Sequence, residues 1–451
     1  MSQDTSVLGS SDATGPKAPS ARLTIEETID RMSKVGLNRW AWLGLMLAFF
    51  FANYDISVFA ITLPSMRDAL GLQGTDLAWP VALNLTGYAV GAYIFGQISD
   101  RKGRQIGLFL TIALLGVGGL LTAFAWDVTS LSFFRFLTGG GMGAVATLYL
   151  VGGVLNAVLG FASLAVLAAL PEHGWQILLG FGGLVLLILP LINKRALMES
   201  PRWLLERGRA QEATDIVRRL QRNAGEHVID DGTLIEAAAV INESTDEIAP
   251  MKSLVRPPLV GRLLSVLGFW FVFYVAMYAF TSYLPLILEG IGIQTSNALF
   301  ITVLSRSVPV IIGFLVIFLI ERVERRTLII IGALIFTLAV LLVISGWGEW
   351  AATAGAIIAN CGISLVATPA YTYTAEVFPT RVRGTAAAIC DGVGHMGGAV
   401  APFVILPILL GPGAVAAGLT MAALLVLSAG IIRLGPRTRN RSLLEIADQA
   451  Q

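Results

Sequence analysis

The sequence predicts an all-α integral membrane protein of twelve transmembrane helices in two pseudo-symmetric six-helix bundles. Three observations predict it. The 451 residues are 55% apolar and 14% charged, with a mean hydropathy of +0.74, whereas a soluble domain is roughly a quarter charged. Apolar runs near 20 residues, the length that spans a bilayer, recur along the chain. One long polar stretch, 194–260, divides them into two sets.

The runs lie at 40–63, 77–98, 105–125, 131–170, 174–192, 263–288, 298–320, 327–346, 350–374, 384–409 and 413–434. Each has the length of one crossing except 131–170, which is too long for one and too apolar for a loop. Basic residues decide the count, because they collect in cytoplasmic loops. If 131–170 crosses twice, all but three of the 31 Lys and Arg are cytoplasmic: Arg67 lies outside, and Arg135 and Arg306 lie within the membrane. If it crosses once, the later arginine clusters land outside. Twelve crossings follow, in a multi-pass cell-membrane protein with both termini cytoplasmic. Spans 4 and 5 must then turn without a charged residue, around Tyr149 to Asn156, where Gly152 and Gly153 supply freedom.

The expected organisation is a polar cytoplasmic tail without a signal peptide (1–38), an N-terminal bundle (39–193), a cytoplasmic linker (194–260), a C-terminal bundle (261–435) and a cytoplasmic tail (436–451). Within the linker, helical patterns cover Ala210 to Asn223 and, more weakly, Thr233 to Ile241. The two halves repeat. GQISDRKGR (Gly96 to Arg104) after span 2 corresponds to IERVERR (Ile320 to Arg326) after span 8. AEVFPTRVRGTA (Ala375 to Ala386) after span 10 has no counterpart after span 4, where the first half is about 14 residues shorter.

From Trp40 to Leu444 these strings resemble the major facilitator superfamily. GQISDRKGR matches its G-x-x-x-D-R-x-G-R loop signature, and RFLTGGGMG (Arg135 to Gly143) its helix 4 motif. ESPRWL (Glu199 to Leu204) and AEVFPTRVRG are typical of the sugar-porter and metabolite:proton symporter branch. GPRTRNRSLLEI (Gly435 to Ile446) resembles that branch's tail, with Arg437 where an acidic residue is usual. The resemblance implies the twelve-helix fold, alternating access, and a cytoplasmic gate. Asp100, Arg101 and Arg104 would form it in the first half, Glu376, Arg381 and Arg383 in the second, with Glu199 and Arg202 joining. The plainer reading of these charges is that they only enforce topology. Sugar porters carry glutamines in span 7; Gly268 to Leu288 has none, which points away from hexoses.

Ionisable groups inside spans carry more information, because a mid-membrane charge is costly and normally faces a cavity or a partner. Asp55 lies about 24 Å along span 1 at 1.5 Å per residue, and Arg135 sits at a similar depth in span 4. An acid that can be paired with a guanidinium, or released from it, is a proton carrier; the alternative is a permanent structural ion pair. Arg306 in span 8 suits a substrate carboxylate, or else an acid on another helix. Asp391 and His395 stand one turn apart on span 11, as a second proton site or as a brace for GVGHMGG. Tyr274 and Tyr278 share a face of span 7 with Phe271, and Asn53, Asn84 and Asn360 are intramembrane amides. All five are candidates for substrate binding, with packing as the alternative.

The expected function is secondary active transport of a small organic solute: proton symport of a carboxylate-bearing metabolite, aromatic ones included. Asp55 would carry the proton, Arg135 would tune it, and Arg306 would meet the carboxylate. A proton-coupled drug efflux antiporter, a sugar or polyol porter, and a transport-defective receptor are the alternatives. The expected partners are the lipid bilayer and the solute, with the chain a monomer. A net charge of +1 argues against nucleic acid. No cofactor is expected beyond the proton, and Cys361 and Cys390 lie in apolar runs that offer no metal cluster or disulfide framework. The sequence holds no G-x-x-x-x-G-K-[ST] loop for ATP and no nucleophile–base set for an enzyme.

Overall fold

The computed structural model describes residues 25–30, 32, 36–142, 149–192, 197–225, 254–257, 259–307 and 309–438. Every regular element among them is helical. In chain order these are α1 (Ile25–Asp30), α2 (Arg39–Leu70), α3 (Ala78–Lys102), α4 (Arg104–Thr122) and α5 (Val128–Met142). There follow α6 (Tyr149–Ala169), α7 (Gly174–Phe181), α8 (Pro201–Glu206), α9 (Ala210–Ala224), α10 (Leu259–Gly290) and α11 (Thr295–Ser307). The chain continues through α12 (Pro309–Arg322), α13 (Arg325–Val343), α14 (Glu349–Val377), α15 (Thr380–Leu410) and α16 (Ala414–Ile432).

The helices fall into two compact units. The smaller comprises Met1–Leu37 and Glu199–Thr245. Its apolar core is Ile25, Trp203, Leu204, Ala213 and Val217, with Ile29 and Ile216 packed on it. Ile25 and Ile29 are four apart, so one face of a short helix buries both. Part of the tail expected to be a polar lead-in is therefore helical: α1 is ordered by the linker helices α8 and α9. The linker helix expected at Ala210 to Asn223 is α9, while the weaker pattern at Thr233 to Ile241 lies outside the described residues.

The larger unit, Asn38–Met198 and Asp246–Gln451, holds the membrane helices. Nine helical stretches among the described residues are long and apolar enough to cross a bilayer. The other three expected crossings appear as shorter pieces: α5, α6, and the pair α11 and α12. The two halves pack alike. In the first, α2 packs on α6 and α4 on α5; in the second, α10 packs on α15 and α13 on α14. The halves meet where α3 lies against α15, α2 against α10, and α6 against α11. Exposed Leu, Ile, Val and Phe on α4, α13 and α16 are what a helix surface facing lipid requires.

Two local expectations need correction. The turn expected around Tyr149 to Asn156 is not there, because α6 is helical from Tyr149 onward; the connection falls at 143–148, outside the described residues. Gly152 and Gly153 do not break the helix, since in hydrocarbon each backbone group must bond within its own segment. Span 8 is described as α11 and α12, on either side of position 308, which lies outside the described residues. Span 6 begins as α7 and tightens into a 3-10 helix over Gly182–Ile192, which contains Pro190.

Loops 71–77, 123–127, 291–294, 344–348 and 411–413 gather at one end of the bundles, here the far end; α3 and α13 reach the opposite, linker end at Lys102 and Arg325. Trp126, Trp347 and Trp350 stand exposed at the far end, where amphipathic rings suit a headgroup layer.

Candidate functional site

The glycines of RFLTGGGMG bring α5 into contact with its neighbours. A Cβ on Gly139 would collide with the Asn84 carbonyl of α3, and one on Gly141 with the backbone of Leu115 on α4. Small residues permit this backbone approach without any hydrophobic driving force between helices. It lets the Asn84 amide Nδ2 donate to the Arg135 carbonyl at 3.0 Å, tying α3 to α5 at the residue that carries the charge. The start of α5 is set by a reciprocal cap. The Ser130 N–H donates to Asp127 Oδ1 at 2.7 Å, and the Asp127 N–H donates to Ser130 Oγ at 3.1 Å. These Ser130 hydrogen bonds hold the Asp127 carboxyl below the usual carboxylate range.

Asp55 on α2 and Arg135 on α5 are brought together. Arg135 Nη1 donates to Asp55 Oδ1 at 2.7 Å, with the side chains 2% and 3% exposed. The Arg135 guanidinium lies 4.3 Å from the centre of the Phe59 ring. Among the described residues the pair makes only this bond: Asp55 Oδ2 and Arg135 Nε have no hydrogen-bond partner there. A guanidinium and a carboxylate can form two parallel bonds, so this buried pair is half made.

A second group forms around α15. A Cβ on Gly397 would strike the backbone of Phe271, and Cβ atoms on Gly394 and Gly398 would press on the rings of Tyr274 and Tyr278. GVGHMGG is thus a close seat for α10. It places His395, 4% exposed, among three aromatic rings. Tyr88 of α3 stacks on the imidazole at 3.7 Å and 12°. Tyr274 meets it edge-on at 5.0 Å, and Tyr278 lies at 5.8 Å. Trp270 sits 4.8 Å from Tyr371 and donates from its indole N–H to Thr374 Oγ1 at 2.9 Å. Asp391 accepts the Tyr371 hydroxyl at 2.8 Å and the Tyr88 hydroxyl at 3.4 Å. Tyr371 and Tyr274 share a hydrogen bond of 2.9 Å. His395 Nδ1 lies 2.9 Å from the Asp391 backbone carbonyl and 3.5 Å from its carboxylate.

Of this group, Asp391, His395, Tyr274 and Tyr278 are legible in the sequence; Tyr88, Tyr371 and Trp270 are not. Their only sequence signal is a polar-tipped aromatic in the middle of an apolar span, and such residues are usually packing.

The remaining candidates are placed as follows. Arg306 of α11 donates from Nη1 to the Ile56 carbonyl at 3.5 Å and from Nη2 to the Thr281 carbonyl, so it bridges α2 and α10. Asn53 and Asn360 donate to carbonyls one turn back in their own helices, Phe49 at 3.1 Å and Ala356 at 3.0 Å. No described hydrogen bond joins Asn53, Asn84 or Asn360 to the aromatic group. At the linker end, Glu376 pairs with Arg325 at 3.2 Å, joining the two motif strings of the second half. Arg101 and Arg104 are exposed there, and Arg383 is half-buried. Glu199 accepts its neighbour's Ser200 N–H at 2.9 Å within the linker unit. The side chains of Asp100, Arg202 and Arg381 lie outside the described residues.

Contacts between the halves gather away from the linker end. Arg67 pairs with Glu289 at 3.4 Å, the Tyr283 hydroxyl donates to the Leu77 carbonyl at 3.1 Å, and Trp79 meets Phe403 at 5.0 Å. Toward the linker end, Tyr93 and Tyr371 are exposed, and Gly384 and Gly392 face open space.

The sugar (and other) transporter family matches residues 146–449, and the major facilitator superfamily matches 45–152. The two matches meet at the short connection between α5 and α6. The niacin transporter NiaP of Acinetobacter baylyi is 26% identical over 430 residues, covering 89% of this chain and 94% of its own. The inner membrane metabolite transport protein YdjE of Escherichia coli is 24% identical, covering 80% and 84%. The xylose transporter XylE of Escherichia coli, in a partially occluded inward-open conformation, superposes with a TM-score of 0.68. That superposition covers 89% of this chain and 98% of XylE at 18% identity.

Proposed function

The chain belongs to the sugar (and other) transporter family of the major facilitator superfamily, and within that family we propose that it is a proton symporter of small carboxylate-bearing aromatic metabolites. It is a multi-pass membrane transporter of metabolites or sugars; the coupling and the solute are the proposal. The observation that carries it is the half-made ion pair. A buried pair serving only as a brace would use both carboxylate oxygens, because each unsatisfied polar atom there is costly. Asp55 instead keeps Oδ2 unbonded, where a proton can be received as Arg135 withdraws.

The cycle follows from the packing. The linker end is taken as cytoplasmic, as the placement of Lys and Arg requires. The contacts at Arg67–Glu289, Tyr283–Leu77 and Trp79–Phe403 close the outer side, and solute leaves toward the cytoplasm. Rocking the halves about the midplane opens the outer side and loads Asp55 with a proton. Arg306, held by one carbonyl from each half, exchanges a carbonyl for the solute carboxylate, so binding of solute and approach of the halves become one event. The Tyr residues of α3, α10 and α14 supply a surface for an aromatic ring. A relative described as a niacin transporter supports a ring bearing a carboxylate.

The test is uptake into proteoliposomes, with and without an inward proton gradient, of benzoate, pyridine-3-carboxylate, xylose and glucose. The acids should accumulate only under the gradient, and the sugars should not. Gradient-driven accumulation of a sugar with no uptake of either acid would overturn the assignment.

A further inference from the structure

Asp391 is a mid-membrane carboxylate without a fixed cation. Among the described residues no Lys or Arg pairs with it, and its one ionisable neighbour is His395, whose Nδ1 faces the Asp391 backbone carbonyl at 2.9 Å. Two tyrosine hydroxyls occupy one lone pair each on Oδ1 and Oδ2, whereas a carboxylate accepts about four bonds. The side chain is 24% exposed, so acceptor positions remain unused. Tyr88 and Tyr371, whose hydroxyls it accepts, box it in, with Tyr274 and Trp270 packed against Tyr371; of these four rings only Tyr371, 45% exposed, is open. A carboxylate beside an exposed aromatic ring attracts cations, through charge and through the ring quadrupole together.

We propose that this box is a subsite for the positively charged or N–H-bearing edge of a planar heteroaromatic ring. The solute is therefore zwitterion-like, an acid at one edge and a cationic or N–H nitrogen at another. The acid end rests on the reading given under Proposed function; the nitrogen end rests on Asp391 alone. The two ends are compatible along α10. Tyr274, which bonds the Tyr371 hydroxyl held by Asp391, precedes by seven residues the Thr281 carbonyl that holds Arg306, a rise of about 10.5 Å that includes the contact distance at each end. That spacing suits a single six-membered ring with substituents on opposite sides.

The experiment is equilibrium binding to the purified protein, which is independent of coupling and of transport. The probes are benzoate, N-methylpyridinium-3-carboxylate and N-methylpyridinium. The parent should bind N-methylpyridinium-3-carboxylate at least about tenfold more tightly than benzoate, through the charge of a quaternary nitrogen that has no N–H to donate. Asp391→Asn should erase that preference and leave benzoate unchanged. Tyr371→Phe, which removes one hydroxyl, should weaken both cationic probes by a smaller factor and spare benzoate, and it covers the case of an Asp391 variant that does not fold. Equal weakening of all three probes by Asp391→Asn, or a parent that binds benzoate as tightly as the zwitterion, would overturn the subsite. Binding of N-methylpyridinium without binding of either acid would uphold the Asp391 subsite and refute the carboxylate assignment instead.

Discussion

Replacing Asp55 with Asn preserves the side-chain shape and an oxygen for the Arg135 Nη1 bond, and removes the group that takes the proton. The consequence is calculable. A proton moved with a zwitterionic solute carries one net charge, which a potential of 100 mV drives by about 2.3 kcal/mol. At about 1.4 kcal/mol per tenfold, this concentrates the solute roughly 45-fold. A monoanion moved with one proton carries no net charge, so only the pH gradient counts, about tenfold per pH unit. In proteoliposomes with an imposed inside-negative diffusion potential and no pH gradient, the parent should therefore accumulate N-methylpyridinium-3-carboxylate tens-fold and benzoate not at all. The D55N variant should bring both to an inside-to-outside ratio near one while retaining solute exchange at equal concentrations. Breaking a buried pair costs about 3–5 kcal/mol when one charge is left alone, so thermal unfolding of the variant is measured beside uptake. A D55N variant that folds and still concentrates solute like the parent would refute the coupling role of this pair.

Arg306→Ala should weaken apparent affinity for benzoate by about 10- to 150-fold, the range for a charge-assisted hydrogen bond, with Arg306→Lys intermediate; competition uptake reads this directly. Gly139→Val drives a side chain into the Asn84 carbonyl and should cost about 1–3 kcal/mol of stability, seen as a lower unfolding temperature. Gly96→Ala, inside α3, meets open space and should raise that temperature slightly, since mid-helix glycine is about 0.5–1 kcal/mol less favourable than alanine. The Asp127 carboxyl is held low by Ser130, so its cap is fully present above the unfolded carboxylate value and is lost as pH falls through the lowered folded value. Hydrogen exchange in the first turn of α5 should accelerate over that acid window in the parent and lose its pH dependence in Asp127→Asn.

Particular residues show how far a linear reading reaches. Span count was legible because it depends on sums over many residues: 20-residue apolar runs and the placement of arginines. The pairing of Asp55 with Arg135, 80 positions apart, was also within reach, because a charge buried in hydrocarbon needs a partner and few lie at its depth. The turn near Tyr149 was misplaced because glycine signals a break in water, where the freed backbone finds solvent, and not in lipid.

The aromatic box belongs to a different class of fact. Tyr88, Tyr371 and Trp270 are separated by hundreds of positions, and each alone reads as packing. They come together only when α3, α10, α14 and α15 converge, and the glycines of GVGHMGG set how closely two of those helices do so. By itself the sequence determined that this chain lives in a bilayer, crosses it in two repeated sets, and buries an acid and a base in the first of them. Burial energy and charge placement act on each span separately, so order along the chain suffices. Which carboxylate would meet a solute, and of what charge, was decided by tertiary structure, because recognition depends on distances between side chains that the chain order leaves open.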